Sequence, residues 1–126
     1  MLGNTTPTPT IAVSDLTRAR QFYEQILGLQ MEHETPEAGV VVYKSGAGRV
    51  QIYVSSFAGS NKSTYATWEV DDIQACVEEL KSKGVSFEHY PDMPGVTLEG
   101  DVHIWDNEKA VWFKDPDGNI LCVDQH

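Results

Sequence analysis

The chain has 126 residues, enough for one ordinary domain that buries a core without disulfide or metal staples. Apolar residues make up 40% and charged residues 22%, a balance that excludes a disordered tail. Nine Lys and Arg against nineteen Asp and Glu leave a net charge of −10, which repels nucleic-acid phosphates and anionic lipid, so no nucleic-acid or membrane partner is expected.

The first element is a short β-prone run over residues 10–13, ending at Ser14 and Asp15. Leu16, Ala19, Phe22, Tyr23, Ile26 and Leu27 then recur at helical spacing. Asp15 or Ser14 can cap this helix, and Gly28 supplies a left-handed stop. Strands are expected over residues 29–34, 40–43 and 50–54, with the last two joined by a turn at residues 45–48. A second series begins with a strand over 67–70 that ends at Asp71 and Asp72. Ile73, Cys76, Val77 and Leu80 form a helical stripe, and Gly84 stops it. Strands are expected over 85–88, 111–113 and 120–123. Asp115-Pro116-Asp117-Gly118-Asn119 makes a tight turn between the last two.

The order β-α-β-β-β therefore occurs twice. Val13 corresponds to Val70, Gly28 to Gly84 and Gly48 to Gly118, at offsets of 57, 56 and 70 residues. The larger last offset places an insertion at about residues 90–107, rich in Pro, Gly and Asp, where ligand-specific contacts are expected. Neither copy can cover its own apolar face, so an α+β fold with mixed sheets is expected, with one domain over residues 1–126. Module one covers about 8–56 and module two about 64–126. Cys76 and Cys122 form no CxxC pair and no disulfide framework, which suits a reducing compartment. The first seven residues carry no basic and apolar leader pattern, and no run approaches the roughly 18 apolar residues of a membrane span. A soluble, cytoplasmic protein is expected.

Residues 10–16, Phe22-Tyr23 and Leu27-Gly28-Leu29 resemble the opening of the vicinal oxygen chelate (VOC) superfamily. Residues 113–121, from Phe113 through Asp115-Pro116-Asp117-Gly118-Asn119 to Leu121, resemble its closing motif. With the repeat, the resemblance covers nearly the whole chain. It implies paired βαβββ modules forming cupped, half-barrel mixed sheets, the glyoxalase/bleomycin-resistance/dioxygenase fold. It also implies a homodimer with pockets at or near the subunit interface, and in the enzymes a divalent metal held from the first and last strands of each module. Family spacing puts the first-strand ligands at Thr8 and Tyr65 and the second module's last-strand ligand at Cys122. The first module's last-strand ligand falls at Gln51 or Ile52. This set contains no imidazole and no carboxylate, so no metal, no cofactor and no catalytic residue is expected.

Alternation along the strands places Thr8, Thr10, Gln51, Tyr53, Tyr65, Thr67, Glu69 and Cys122, with Asp124, toward a cavity. Trp105 and Trp112 border it, while Trp68 turns with Val70 toward its helix. Hydroxyls, aromatic rings and a carboxylate suit an amphipathic or cationic organic ligand. The expected function is sequestration of such a drug-like molecule in a dimer-interface pocket, as in bleomycin resistance. The alternative is a metal-dependent lyase or oxygenase of glyoxalase or dioxygenase type. Among the other polar residues, His33 and His89 read as solvated strand positions and His103 as a loop residue in the insertion. Terminal His126 reads as disordered, and Cys76 as core.

Overall fold

The β-branched run Thr10–Val13 forms β1, and the Asp15 carboxylate caps the helix behind it by accepting the Arg18 N–H at 3.1 Å. The coordinates are a computed structural model describing residues 1–126, and they divide into two compact units. The first contains Met1–Lys62 with Pro116–Asn119, the second Ser63–Asp115 with Ile120–His126.

In the first unit, α1 (Leu16–Arg20) runs into a π-helical turn, Gln21–Ile26, where the spacing predicts one continuous α-helix. The wider turn accompanies the burial of two neighbours in sequence, Phe22 and Tyr23, whose rings meet edge to face at 5.1 Å. Strands β2 (Gln30–Thr35), β3 (Val40–Ser45) and β4 (Gly48–Val54) complete a sheet of order β1-β4-β3-β2. β1 runs parallel to β4 and the other pairs are antiparallel. Ile11, Val13, Val41, Tyr43, Val50 and Ile52 form the buried face. Tyr23 stacks on Tyr43 at 6.3 Å. The Tyr43 hydroxyl donates to Glu24 Oε2 at 2.9 Å, and that oxygen also accepts from Arg20 Nε at 2.7 Å. A charged acceptor for a buried phenol is among the stronger protein hydrogen bonds.

Residues 116–119 do more than turn the chain. The Asp117 carboxylate accepts the Ser14 N–H at 3.0 Å, the Ser14 hydroxyl at 2.5 Å and Arg18 Nη2 at 3.0 Å. Ser14 is thereby committed to Asp117, which leaves the cap to Asp15. Asn119 is fully buried, donates from Nδ2 to the Ala12 carbonyl at 2.7 Å and accepts the Gly59 N–H at 3.1 Å. Gly59 has φ +73°, and a Cβ there would lie 2.1 Å from the Asp117 carbonyl oxygen, so only glycine fits.

The second unit opens with β5 (Thr64–Glu69), and Asp72 caps α2 (Ile73–Ser82) by accepting the Ala75 N–H at 3.0 Å. Ile73, Val77 and Leu80 are the buried stripe of α2, and Gly84 ends the turn beyond it at φ +90°. β6 (Phe87–Glu88), β7 (Thr97–Glu99), β8 (Val102–Trp105), β9 (Glu108–Lys114) and β10 (Ile120–Gln125) follow. The sheet order is β5-β10-β9-β8-β7, with β5 parallel to β10. β6 and β8 share one edge of β9: Phe87 and Glu88 pair with Phe113 and Trp112, whereas His103 and Trp105 pair with Ala110 and Glu108. The stretch expected as a loop insertion at 90–107 thus contributes a β-hairpin to this sheet, and His103 is a strand residue. Val102, Val111, Phe113, Leu121 and Val123 lie on the buried face, where the Gln125 side-chain carbonyl accepts the Ile73 N–H at 2.8 Å.

Replacing Asn119 with Ala removes two hydrogen bonds and leaves the Ala12 carbonyl without its donor. Urea denaturation should show a loss of about 2–3 kcal/mol, the penalty of an unsatisfied buried group plus the lost bonds.

Candidate functional site

The face of the second sheet opposite α2 carries a hollow of about 260 Å³. Its residues follow from strand register. Thr67, Cys122 and Trp112 lie side by side across β5, β10 and β9, and Glu69, Asp124 and Ala110 form the next row. Trp105 enters from β8 beside Glu108. The indole rings of Trp105 and Trp112 meet edge to face at 6.1 Å and wall one side. Trp112 Nε1 donates to Thr64 Oγ1 at 3.2 Å, which holds the ring. Thr67, Trp105, Trp112 and Cys122 therefore line one space, with Glu69 beside Asp124 in the adjoining row.

Tyr65 does not line the hollow; Thr64 does. The β5–β10 ladder slips between Ile120, which faces Thr64, and Leu121, which faces Ala66, so Tyr65 is the extra residue of a bulge. A strict period of two carries Tyr65 to the wrong place for this reason. Glu108 and His126 are the residues that the predicted site lacked. Asp124 was legible from its in-phase spacing with Cys122. No signal in the sequence pointed to His126, which lies against acidic side chains: Nε2 is 3.4 Å from Asp124 Oδ2, and Nδ1 3.5 Å from Glu108 Oε1. The Asp124 charge, with smaller contributions from Glu69 and Glu108, pushes the His126 imidazole above its usual pKa.

The remaining predicted residues lie on the first unit. Gln51 Nε2 donates to Thr10 Oγ1 at 2.8 Å, and the Thr10 hydroxyl donates to the Thr8 carbonyl at 3.0 Å. Tyr53 follows Gln51 on the same face and is exposed. Pairing of Thr10 with Gln51 and of Ile11 with Ile52 resolves the first-module alternative. Gln51 faces outward and Ile52 is wholly in the core. The amide and hydroxyls satisfy one another, which makes this surface polar and chemically quiet.

A divalent metal at the four positions implied by the sequence pattern does not fit these residues. In the first unit, Ile52 has no donor atom and Gln51 is engaged with Thr10. In the second, burial, then the neighbouring Asp124 charge, pushes the Cys122 thiol up to about 11, so a metal there would have to displace a tightly held proton. The same shift keeps Cys122 from being an activated nucleophile at neutral pH.

His103 is buried with no solvent exposure, 4.9 Å from the Trp112 ring centroid and stacked at 6.4 Å on Trp105. Its Nε2 accepts the Tyr90 N–H at 2.9 Å, and its Nδ1 lies 3.3 Å from the Ala110 carbonyl, to which it donates. Both ring nitrogens are committed, so His103 is a neutral strut for the tryptophan wall and not an acid or base. Burial lowers its pKa. His33 and His89 belong to different units and each meets a local partner, Thr35 Oγ1 at 3.1 Å and Asp101 Oδ1 at 2.7 Å.

Comparison with known proteins adds the following. A family model described as "Glyoxalase/Bleomycin resistance protein/Dioxygenase superfamily" matches residues 5–123. No curated protein matches in sequence. Among solved structures, an integron cassette protein from the mobile metagenome of the Halifax Harbour sewage outfall is 21% identical. The match covers 98% of this chain and 99% of that one, with a TM-score of 0.73. A lactoylglutathione lyase from Agrobacterium tumefaciens is 18% identical, with 97% and 93% of the chains covered and a TM-score of 0.73. An antibiotic binding protein from a Streptomyces species is 18% identical over 97% of each chain, with a TM-score of 0.66. These similarities establish the α+β fold with two mixed sheets built from βαβββ modules.

Because the folded state holds His103 neutral below its ordinary pKa, the unfolded chain binds the extra proton. Stability from this residue is complete above about pH 6.5 and is lost as pH falls through the lowered folded value. Urea midpoints across pH 7 to 5 should fall more steeply for the unmodified chain than for His103→Gln.

Proposed function

Because the chain belongs to the glyoxalase/bleomycin resistance protein/dioxygenase superfamily, we propose that it is a binding member of that family, sequestering a small organic cation in a cup between two copies of the chain. The observation that carries this reading is the hollow on the second sheet. Two indole rings face a carboxylate row, and the one sulfur donor beside them is a neutral thiol. An aromatic cation gains stacking and cation–π attraction from Trp105 and Trp112, about 0.5–2 kcal/mol for each cation–π contact. Its charge is matched by Asp124 and Glu108. The net charge of −10 steers cations toward the protein generally. One solved relative of this fold is described as an antibiotic binding protein, which supports a binding role.

The size of the hollow bears on the dimer. At about 260 Å³ it lies just under the roughly 300–1,000 Å³ usual for ligand pockets, so a wall from a second copy is needed to enclose a drug-sized molecule. No helix is long and apolar enough to cross a membrane, and the proposed compartment is the cytoplasm. Binding occurs without a metal at the four positions discussed above, and no bond is made or broken.

Titration with proflavine, a planar aromatic cation, in the presence of chelator should quench tryptophan fluorescence. The dissociation constant should be on the order of micromolar, equivalent to about 8 kcal/mol. Raising salt should weaken it, since the carboxylates are partly exposed. Trp112→Phe and Asp124→Asn should each weaken binding several-fold. Absence of quenching across a panel of cationic and neutral aromatic probes overturns the proposal.

A further inference from the structure

The charged end of the hollow carries an imidazole of its own. Alternation along β10 puts Cys122 and Asp124 on the hollow face. Gln125 turns the other way, where its side-chain carbonyl accepts the Ile73 N–H of α2. With Gln125 pinned under the helix, the next residue, His126, returns to the hollow and lines it. Register gives the same result. Gln125 pairs with Lys109, so His126 falls opposite Glu108, which itself pairs with Trp105.

The ring thus stands between two carboxylates, with Nε2 3.4 Å from Asp124 Oδ2 and Nδ1 3.5 Å from Glu108 Oε1. These are the two carboxylates assigned above to the charge of the organic cation. A protonated imidazole is itself a small aromatic cation, the same chemistry as the ligand proposed for this space. We propose that His126 is a built-in competitor for the hollow: its imidazolium holds the place between Asp124 and Glu108 that the positive group of a ligand needs, and ligand binding displaces it. This inference rests on the sequestration reading and supplies its regulation.

The competition changes with pH. The charged groups that face the ring are Asp124 from β10, Glu108 from β9 and Glu69 from β5. Lys109 of β9 and the protonated Cys122 thiol also line the hollow. The Asp124 charge, opposed by desolvation and aided by Glu69 and Glu108, raises the imidazole above its usual pKa. Below the raised value the ring is charged and competes. As pH rises through it the proton leaves, the ion pairs are lost and the ring yields. Cation affinity therefore increases with pH, and by linkage a bound cation drives the proton off His126.

The test uses N-methylacridinium, a planar aromatic whose positive charge does not depend on pH. It is titrated against the full chain in chelator at about pH 6 and about pH 8, with tryptophan quenching as the readout. Affinity should be about two- to fivefold higher at the upper pH, the effect of a partly exposed ion pair. His126→Gln keeps a planar polar group without the charge. It should bind more tightly than the unmodified chain at the lower pH and lose most of the pH dependence. The His126 side chain is half exposed, so this variant keeps the fold, which circular dichroism verifies at both pH values. Proton NMR of the ligand-free protein reads the contact directly: the His126 ring should titrate at lower pH in Asp124→Asn. Equal or weaker binding by His126→Gln at the lower pH, pH dependence retained in that variant, or an unchanged His126 titration in Asp124→Asn overturns this inference and leaves sequestration standing. No quenching of either protein at either pH overturns the sequestration reading, and this inference with it.

Discussion

Strand β10 sits between a parallel partner, β5, and an antiparallel one, β9, and its register decides the chemistry of the second sheet. Leu121 and Val123 point into the core under α2, and the intervening Cys122 and Asp124 are turned to the other face. A slip of one residue would bring the thiol and the carboxylate into the core and two large aliphatic groups out of it. Burying an unpaired carboxylate costs several kcal/mol, and exposing Leu and Val forfeits about 1.5–3 kcal/mol each. The hollow therefore inherits its composition from the packing of the opposite face. Thr67 and Trp112 flank Cys122, and Glu69 and Ala110 flank Asp124, because hydrophobic burial leaves no other pairing.

The two sheets share an architecture and use it differently. In the first, the outward face carries Thr10 and Gln51, whose amide and hydroxyl bond to each other. In the second, the equivalent face carries indoles, a thiol and carboxylates, and one carboxylate oxygen, Asp124 Oδ1, has no hydrogen-bond partner. That imbalance is the basis on which binding is proposed for the second face. Cys122 shows how environment overrides residue type. A thiol with an ordinary pKa is a fair metal ligand and nucleophile, but burial and the adjacent carboxylate keep this one protonated.

The tryptophan wall depends on a polar residue in the core. His103 is enclosed by Tyr90, Trp105 and Trp112, with ring centroids 4.9–6.4 Å away. It would be a liability there without partners. The Tyr90 N–H and the Ala110 carbonyl complete its hydrogen bonds and select the tautomer with the proton on Nδ1. The hairpin of β7 and β8 thus earns its place in the sheet by bringing both the strut and Trp105 to the hollow.

Local chemistry was enough to read much of this molecule from the chain. Left-handed glycines at 28 and 84 and the stripe of the second helix are short-range signals that stand where they were expected, and Asp15 takes the cap for which Ser14 was the alternative. The doubled βαβββ order and the closing turn gave the fold for the same reason: they repeat a pattern of periods and breaks that needs no knowledge of distant contacts. Thr67, Trp105, Trp112 and Cys122 came from that pattern as well. What required the folded molecule is everything decided by a partner far along the chain. The bulge at Tyr65 exists only because β5 meets β10, and the choice of Gln51 over Ile52 rests on β1 pairing with β4. Asp117 and Asn119 reach residues about 100 positions away, so their turn sequence says nothing of those bonds. His126 meets both Asp124 and Glu108 because the pairing of β10 with β9 brings those carboxylates within its reach. Side-chain periodicity tells which way a residue points; only strand register tells what it will meet there.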